Sequence, residues 1–129
     1  MNKVILTGYL VKEIELKKTK SGIAVVSNCI AVKREIKNKD GQYLTDFINF
    51  TVWNKPAEHF ARHARKGDRL EIVGRWENRD YQSGNQKRVI SEVIVESISA
   101  YSKGGREDQP QEVIGGDIIE ELPDGEMPF

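Results

Sequence analysis

Residues 46–68 read Asp46-Phe47-Ile48-Asn49-Phe50-Thr51-Val52-Trp53-Asn54-Lys55-Pro56-Ala57-Glu58-His59-Phe60-Ala61-Arg62-His63-Ala64-Arg65-Lys66-Gly67-Asp68. Residues 47–53 alternate with the period of a β-strand. Ile48, Phe50 and Val52 share one face, uniformly apolar, and belong to a core. Phe47, Asn49, Thr51 and Trp53 share the other, polar in the middle with an aromatic at each end. The period then changes. Asn54 is a helix-capping residue type, Pro56 suits a first helical turn, and Gly67 suits a stop. Ala57, Phe60, Ala61 and Ala64 fall at i, i+3, i+4 and i+7, one apolar stripe. The spacing predicts a helix over residues 55–66, directly after a strand.

Working outward, residues 3–10, 23–33, 69–77 and 88–98 are also rich in β-branched residues. Turn residues separate them: Lys20-Ser21-Gly22, Lys39-Asp40-Gly41 and Ser83-Gly84-Asn85. The result is an all-β domain of five strands with one helix between the third and fourth, the chain order of an OB-fold barrel. In the fourth strand, Leu70, Ile72, Gly74 and Trp76 alternate onto an expected core face. Arg69, Glu71, Val73, Arg75, Glu77, Arg79 and Tyr81 share the opposite face.

The 129 residues carry 20 basic and 20 acidic side chains, but not evenly. Residues 1–106 have a balance of +8 and residues 107–129 a balance of −8. A basic body implies a polyanionic partner, and a tail without a single cation implies a solvated segment that meets other proteins. Residues 103–116 hold four glycines and a proline, the composition of a flexible linker. The expected organisation is therefore a folded domain over 1–102, a linker over 103–116 and a disordered acidic tail over 117–129. No apolar run reaches the roughly 18 residues of a membrane span, and no signal-peptide pattern follows Met1, so a cytoplasmic protein is expected.

Chemistry-bearing motifs are few. Cys29 is alone and cannot form an internal disulfide. His59 and His63 have zinc-compatible spacing but no neighbouring third ligand, so no metal or other cofactor is expected. No nucleophile elbow, P-loop or dinucleotide fingerprint occurs, which argues for a binding protein rather than an enzyme. Flat aromatics spaced along a half-polar face, amid cations, match what unpaired bases and phosphates require. The candidates are Phe47, Asn49, Trp53 and Tyr81, with Lys3, Arg34, Lys55, Lys66, Arg75 and Arg79 as backbone contacts. Lys33, Lys37 and Lys39 add charge to the loop after the second strand. A competing reading packs Phe47 and Trp53 under a loop or at a subunit contact.

Several stretches resemble bacterial single-stranded DNA-binding proteins. They are Asn2-Lys3-Val4-Ile5-Leu6-Thr7-Gly8-Tyr9-Leu10, Asp46 to Trp53 with the helix after it, Arg65-Lys66-Gly67-Asp68, Val73-Gly74-Arg75 and Tyr81-Gln82-Ser83-Gly84. The final Asp124-Gly125-Glu126-Met127-Pro128-Phe129 is similar to that family's acidic, Pro-Phe-ended tip. The resemblance implies an OB-fold homotetramer that binds and protects single-stranded DNA, without sequence preference, in replication, recombination and repair. It implies base stacking at Phe47, Trp53 and Tyr81 and backbone contacts at Lys3, Lys55, Lys66 and Arg79. It also implies recruitment of replication, recombination and repair proteins through Asp124, Glu126, Met127, Pro128 and Phe129. The location implied is the cytoplasm, at the nucleoid, or a host's cytoplasm for a phage or mobile-element copy. Two departures stand out. Ile36 occupies a loop position where the family carries another aromatic, and Gly125 and Met127 replace an acid and an isoleucine. The alternative is an OB-fold replication accessory module whose nucleic-acid binding is secondary.

Overall fold

The computed structural model describes residues 1–101 and the backbone of residues 117 and 118. Among the described residues, seven strands and one helix follow in the order β1 (Val4–Leu10), β2 (Lys17–Lys18), β3 (Ala24–Lys33), β4 (Thr45–Trp53), α1 (Lys55–His63), β5 (Arg69–Ser83), β6 (Gln86–Tyr101) and β7 (Asp117–Ile118). The sheet order is β1-β5-β6-β4-β3-β2-β7, and an additional β1–β3 pairing closes five of these strands into a ring. This is the OB-fold barrel expected from the strand order. The two short strands are additions: β2 lies beside β3, and β7 runs parallel to β2, with Lys17 opposite Asp117. The remainder of the proposed linker and tail, including Asp124 to Phe129, lies outside the described residues.

Alternation builds the core. Leu10 of β1, Ala24, Val26 and Ile30 of β3, Phe50 and Val52 of β4, Leu70 and Ile72 of β5, and Val93 of β6 are all buried inside the ring. Val4, Leu6, Val32, Ile48, Val95 and Ile98 pack against them. On β6 the inward parity switches from Val93 and Val95 to Ile98. Glu96 is the reason. Gly74 pairs with Val95 and Val73 with Ser97, so Glu96 is an extra residue, a β-bulge that turns the following side chains over.

α1 closes one end of the barrel. Ala57, Phe60, Ala61 and Ala64 are buried, and the Phe60 ring meets Phe50 edge-on, with centroids 6.1 Å apart. The helix is shorter than the spacing predicts, ending at His63. Ala64 is already extended, and Gly67 serves in the following turn, where its N–H donates to the Leu10 carbonyl at 2.9 Å. Asn54 stands at the N-cap position but makes no side-chain capping bond.

Trp76 contradicts the alternation argument. It was expected in the core with Leu70 and Ile72, yet it is 45% exposed. β1 begins at Val4, opposite Gly74, so no β1 residue pairs with β5 beyond Gly74. β5 and β6 continue there as a long hairpin, and the Trp76 indole N–H donates to Asn78 Oδ1 at 3.0 Å instead of entering the barrel.

Candidate nucleic-acid interface

The strand registers place four rows of side chains on one outward sheet face. Along β4 run Phe47, Asn49, Thr51 and Trp53. Their β3 partners are Ala31, Cys29, Ser27 and Val25. On the other side, Thr51 pairs with Ile94 of β6, and β5 brings Arg75, Glu77, Arg79 and Tyr81 opposite Ile94, Glu92, Ile90 and Arg88. Paired residues in a ladder project to the same side, so the structure gathers Phe47, Asn49, Trp53, Arg75, Arg79 and Tyr81 onto one surface.

Exposure varies across this surface. Phe47 is 65% exposed because its cross-strand partner is only alanine. Trp53 and Tyr81 are half-buried, and Asn49 is exposed. Cys29 is buried beside them, and burial pushes its thiol up, so it is an inert packing residue.

The cations are less free than their number implies. The Lys3 ammonium lies 2.6 Å from Glu96, and Arg75 Nε lies 2.6 Å from Glu77. Arg34 donates two bonds of 3.0 Å to Asp46. This pairing raises the arginine and holds the Asp46 carboxyl below its ordinary range. Asp46 pairs with Val32, whose side chain packs on the core, so the Arg34 pair lies on the ribbon side away from Phe47. Exposed ion pairs of this kind are screened by water and contribute little, and a phosphate can replace the carboxylate. Lys55 and Lys66, at the two ends of the helical segment, are exposed.

Arg79 is different. Its Nε donates at 3.2 Å to Glu92, a carboxylate only 1% exposed. The second oxygen of Glu92 accepts from Thr51 Oγ1 at 2.9 Å, and Thr51 lies 3.4 Å from Ser27 Oγ. This chain spans β5, β6, β4 and β3 beneath the aromatics. Sequence reading singled out Arg79 but not Glu92; the available signal was an acid standing between Ile90 and Ile94 at strand-face parity. Burial raises Glu92, against the lowering influence of Thr51 and Arg79, while Glu77 opposite raises it further. Folded Glu92 therefore keeps its proton to a higher pH than the same residue unfolded, and its contribution to stability declines as pH rises. Denaturant unfolding of the wild type and Glu92→Gln should show this. The wild type loses ground to the variant as pH rises from the ordinary glutamate value of 4.5 through the raised value. Parallel pH curves, or a gain for the wild type, would refute that assignment.

Among the described residues no group of three His, Cys, Asp or Glu side chains could hold a metal ion, and no helix is long and apolar enough to cross a membrane. The His59 and His63 rings meet at a tilt of 36°, with centroids 4.2 Å apart, at a surface pocket beside Ile98.

A closed five-strand ring with a helix plug defines an OB-fold protein, here with an aromatic, cation-fringed outer face. Residues 1–101 match the single-strand binding protein family, and the chain belongs to that family. It is 40% identical over 104 residues to single-stranded DNA-binding protein 1 of Streptococcus pyogenes, covering 80% of each chain. Over 99 residues it is 41% identical to single-stranded DNA-binding protein 2 of Listeria monocytogenes and 42% identical to the Enterococcus faecalis protein. Those matches cover 76% of this chain but 62% and 53% of the relatives. Among solved structures, a deletion variant of the Thermus aquaticus single-stranded DNA binding protein has the same fold. The TM-score is 0.69 at 23% identity, over 82% of this chain and 53% of that one.

Proposed function

We propose that this chain binds single-stranded DNA without sequence preference and shields it during replication, recombination and repair in the cytoplasm. The observation that carries the reading is the outward row of β4. Phe47 stands 65% exposed there, on the same face as Trp53, Tyr81 and the arginines of β5. Unpaired bases stack on such rings, while Lys3, Lys55, Lys66, Arg75 and Arg79 meet the backbone; Arg34 reaches it from the far side of the ribbon.

Assembly into a homotetramer belongs to the same reading. Ile5 and Tyr9 of β1 are 75% and 54% exposed, and Tyr101, which pairs with the Arg69 opposite Tyr9, is 49% exposed. Apolar side chains gathered outside the barrel suit a contact between copies. Partner proteins are recruited by the acidic stretch containing Asp124, Glu126, Met127, Pro128 and Phe129, where apolar side chains amid acids fit a small basic-rimmed pocket.

The test is a titration with oligo-dT across a salt series, using the whole chain and a version lacking residues 107–129. Indole emission should be quenched in both. The log of the binding constant should fall linearly with log salt, at about 0.7 units per phosphate neutralised. The shortened chain should bind DNA at least as tightly, sediment as the same tetramer and lose its replication and repair partners. Unchanged emission with no binding at low salt refutes the DNA reading. Partners retained after the truncation refute the role of the tail.

A further inference from the structure

The segment between β3 and β4 carries an aromatic that the candidate site above does not include. Residues 34–44 form a hairpin arm. The Arg34 N–H donates to the Leu44 carbonyl and the Asn38 N–H to the Gln42 carbonyl, both at 2.8 Å. Asn38 Oδ1 accepts from the N–H groups of Asp40 and Gln42 at 3.0 and 2.9 Å, fixing the tip. The β3–β4 ladder ends with Lys33 opposite Thr45, and the Arg34–Leu44 bond carries the same register one pair further.

Tyr43 lies on this extension. It stands at the parity of Thr45, Phe47, Asn49 and Trp53, the outward row of β4. Its contacts agree, because the ammonium of Lys33, which projects with Thr45, sits 4.3 Å from the Tyr43 ring centroid. Lys37 places a second ammonium 5.4 Å from the same centroid. The ring is still 44% exposed. Lys3, Arg34, Arg75 and Arg79 are each held by a carboxylate. Lys33 and Lys37 instead set their ammonium groups over the Tyr43 ring. An exposed cation–π contact is weak, so a stronger ligand displaces it readily.

We propose that Tyr43 is a further base-stacking residue, with Lys33 and Lys37 taking the phosphates on either side of the stacked nucleotide. The binding face then extends from Phe47 along the arm. An aromatic face flanked by two cations matches one nucleotide unit, a flat base between two anions. This rests on the single-stranded DNA reading above and adds a subsite to it.

The test uses oligo-dT binding to the full chain by fluorescence anisotropy. Tyr43→Leu should weaken binding between about 5-fold and 150-fold, the span of one lost base stack. Tyr43→Phe should stay within about twofold, since the ring face is kept. Replacing Lys33 and Lys37 together by Gln should reduce the salt slope by about 1.4 units, about 0.7 for each phosphate contact. Lysines that only brace the tyrosine ring would leave that slope unaltered. As an independent readout, Tyr43→Trp in a chain also carrying Trp53→Phe and Trp76→Phe supplies a single indole, which oligo-dT should quench. If the unsubstituted chain binds while Tyr43→Leu binds equally well, or the introduced indole is not quenched, the subsite is refuted and the broader reading stands. If the unsubstituted chain does not bind at low salt, both are refuted.

Discussion

Replacing Phe47 and Trp53 together by alanine is expected to lower the affinity for oligo-dT by between about 30-fold and 25,000-fold, since each base–aromatic stack contributes about 1–3 kcal/mol. The two rings occupy one face of β4, and no charged side chain is removed, so the salt slope should be unchanged. The structure also says how the variant should behave as a folded protein. Phe47 faces Ala31 and is largely exposed, so its loss leaves the barrel intact. Trp53 is half-buried beside Val25, so its loss costs some packing, and Trp53→Phe is the control that keeps a ring there. Anisotropy titrations should be read alongside sedimentation of the same samples. Were affinity retained while the assembly came apart, the rings would be subunit contacts and the stacking model would be wrong.

Gly8→Ala should cost about 3 kcal/mol or more in stability, the upper end of what overpacking imposes. Gly8 lies where the ring closes. β1 is paired along Val4 to Tyr9 with β5, and at Tyr9 and Leu10 with β3. A Cβ added at Gly8 would overlap the carbonyl oxygen of Ala31. That obstacle is backbone, and β1 is held by hydrogen bonds on both edges, so relief means opening the closure itself. Gly74 repeats the situation at the β5–β6 bulge, where a Cβ would meet the carbonyl oxygen of Ile94. A domain holds only about 5–15 kcal/mol in total, so the urea midpoint of Gly8→Ala should fall sharply. An unaltered midpoint would show that β1 and β3 are not closely apposed there.

These two expectations draw on different information. The aromatic row of β4 is legible in residues 47–53, because strand alternation is a local property of the pleated backbone. The clash at Gly8 is not legible, because it depends on β3 arriving from more than twenty residues away. Arg79 shows the same division. Its face follows from alternation along β5, but its buried partner Glu92 follows from the β5–β6 register. Tyr43 shares the parity of Phe47, yet the Lys39-Asp40-Gly41 turn marks its neighbourhood as a loop. Only the Arg34–Leu44 bond and the lysines over its ring place it on the face.

Residue order alone therefore determined the principal strands, the helix after β4, the inward set on β4, Leu70 and Ile72 on β5, and the charge imbalance along the chain. Each of these is set by neighbours within a few positions, through backbone pleat, helical period or composition. Ring closure between β1 and β3, the parity switch at Glu96, the exit of Trp76 from the core and the pairing of cations with carboxylates were decided by the folded barrel. Those features depend on which distant backbone supplies the hydrogen bonds, and on where a neighbouring strand ends.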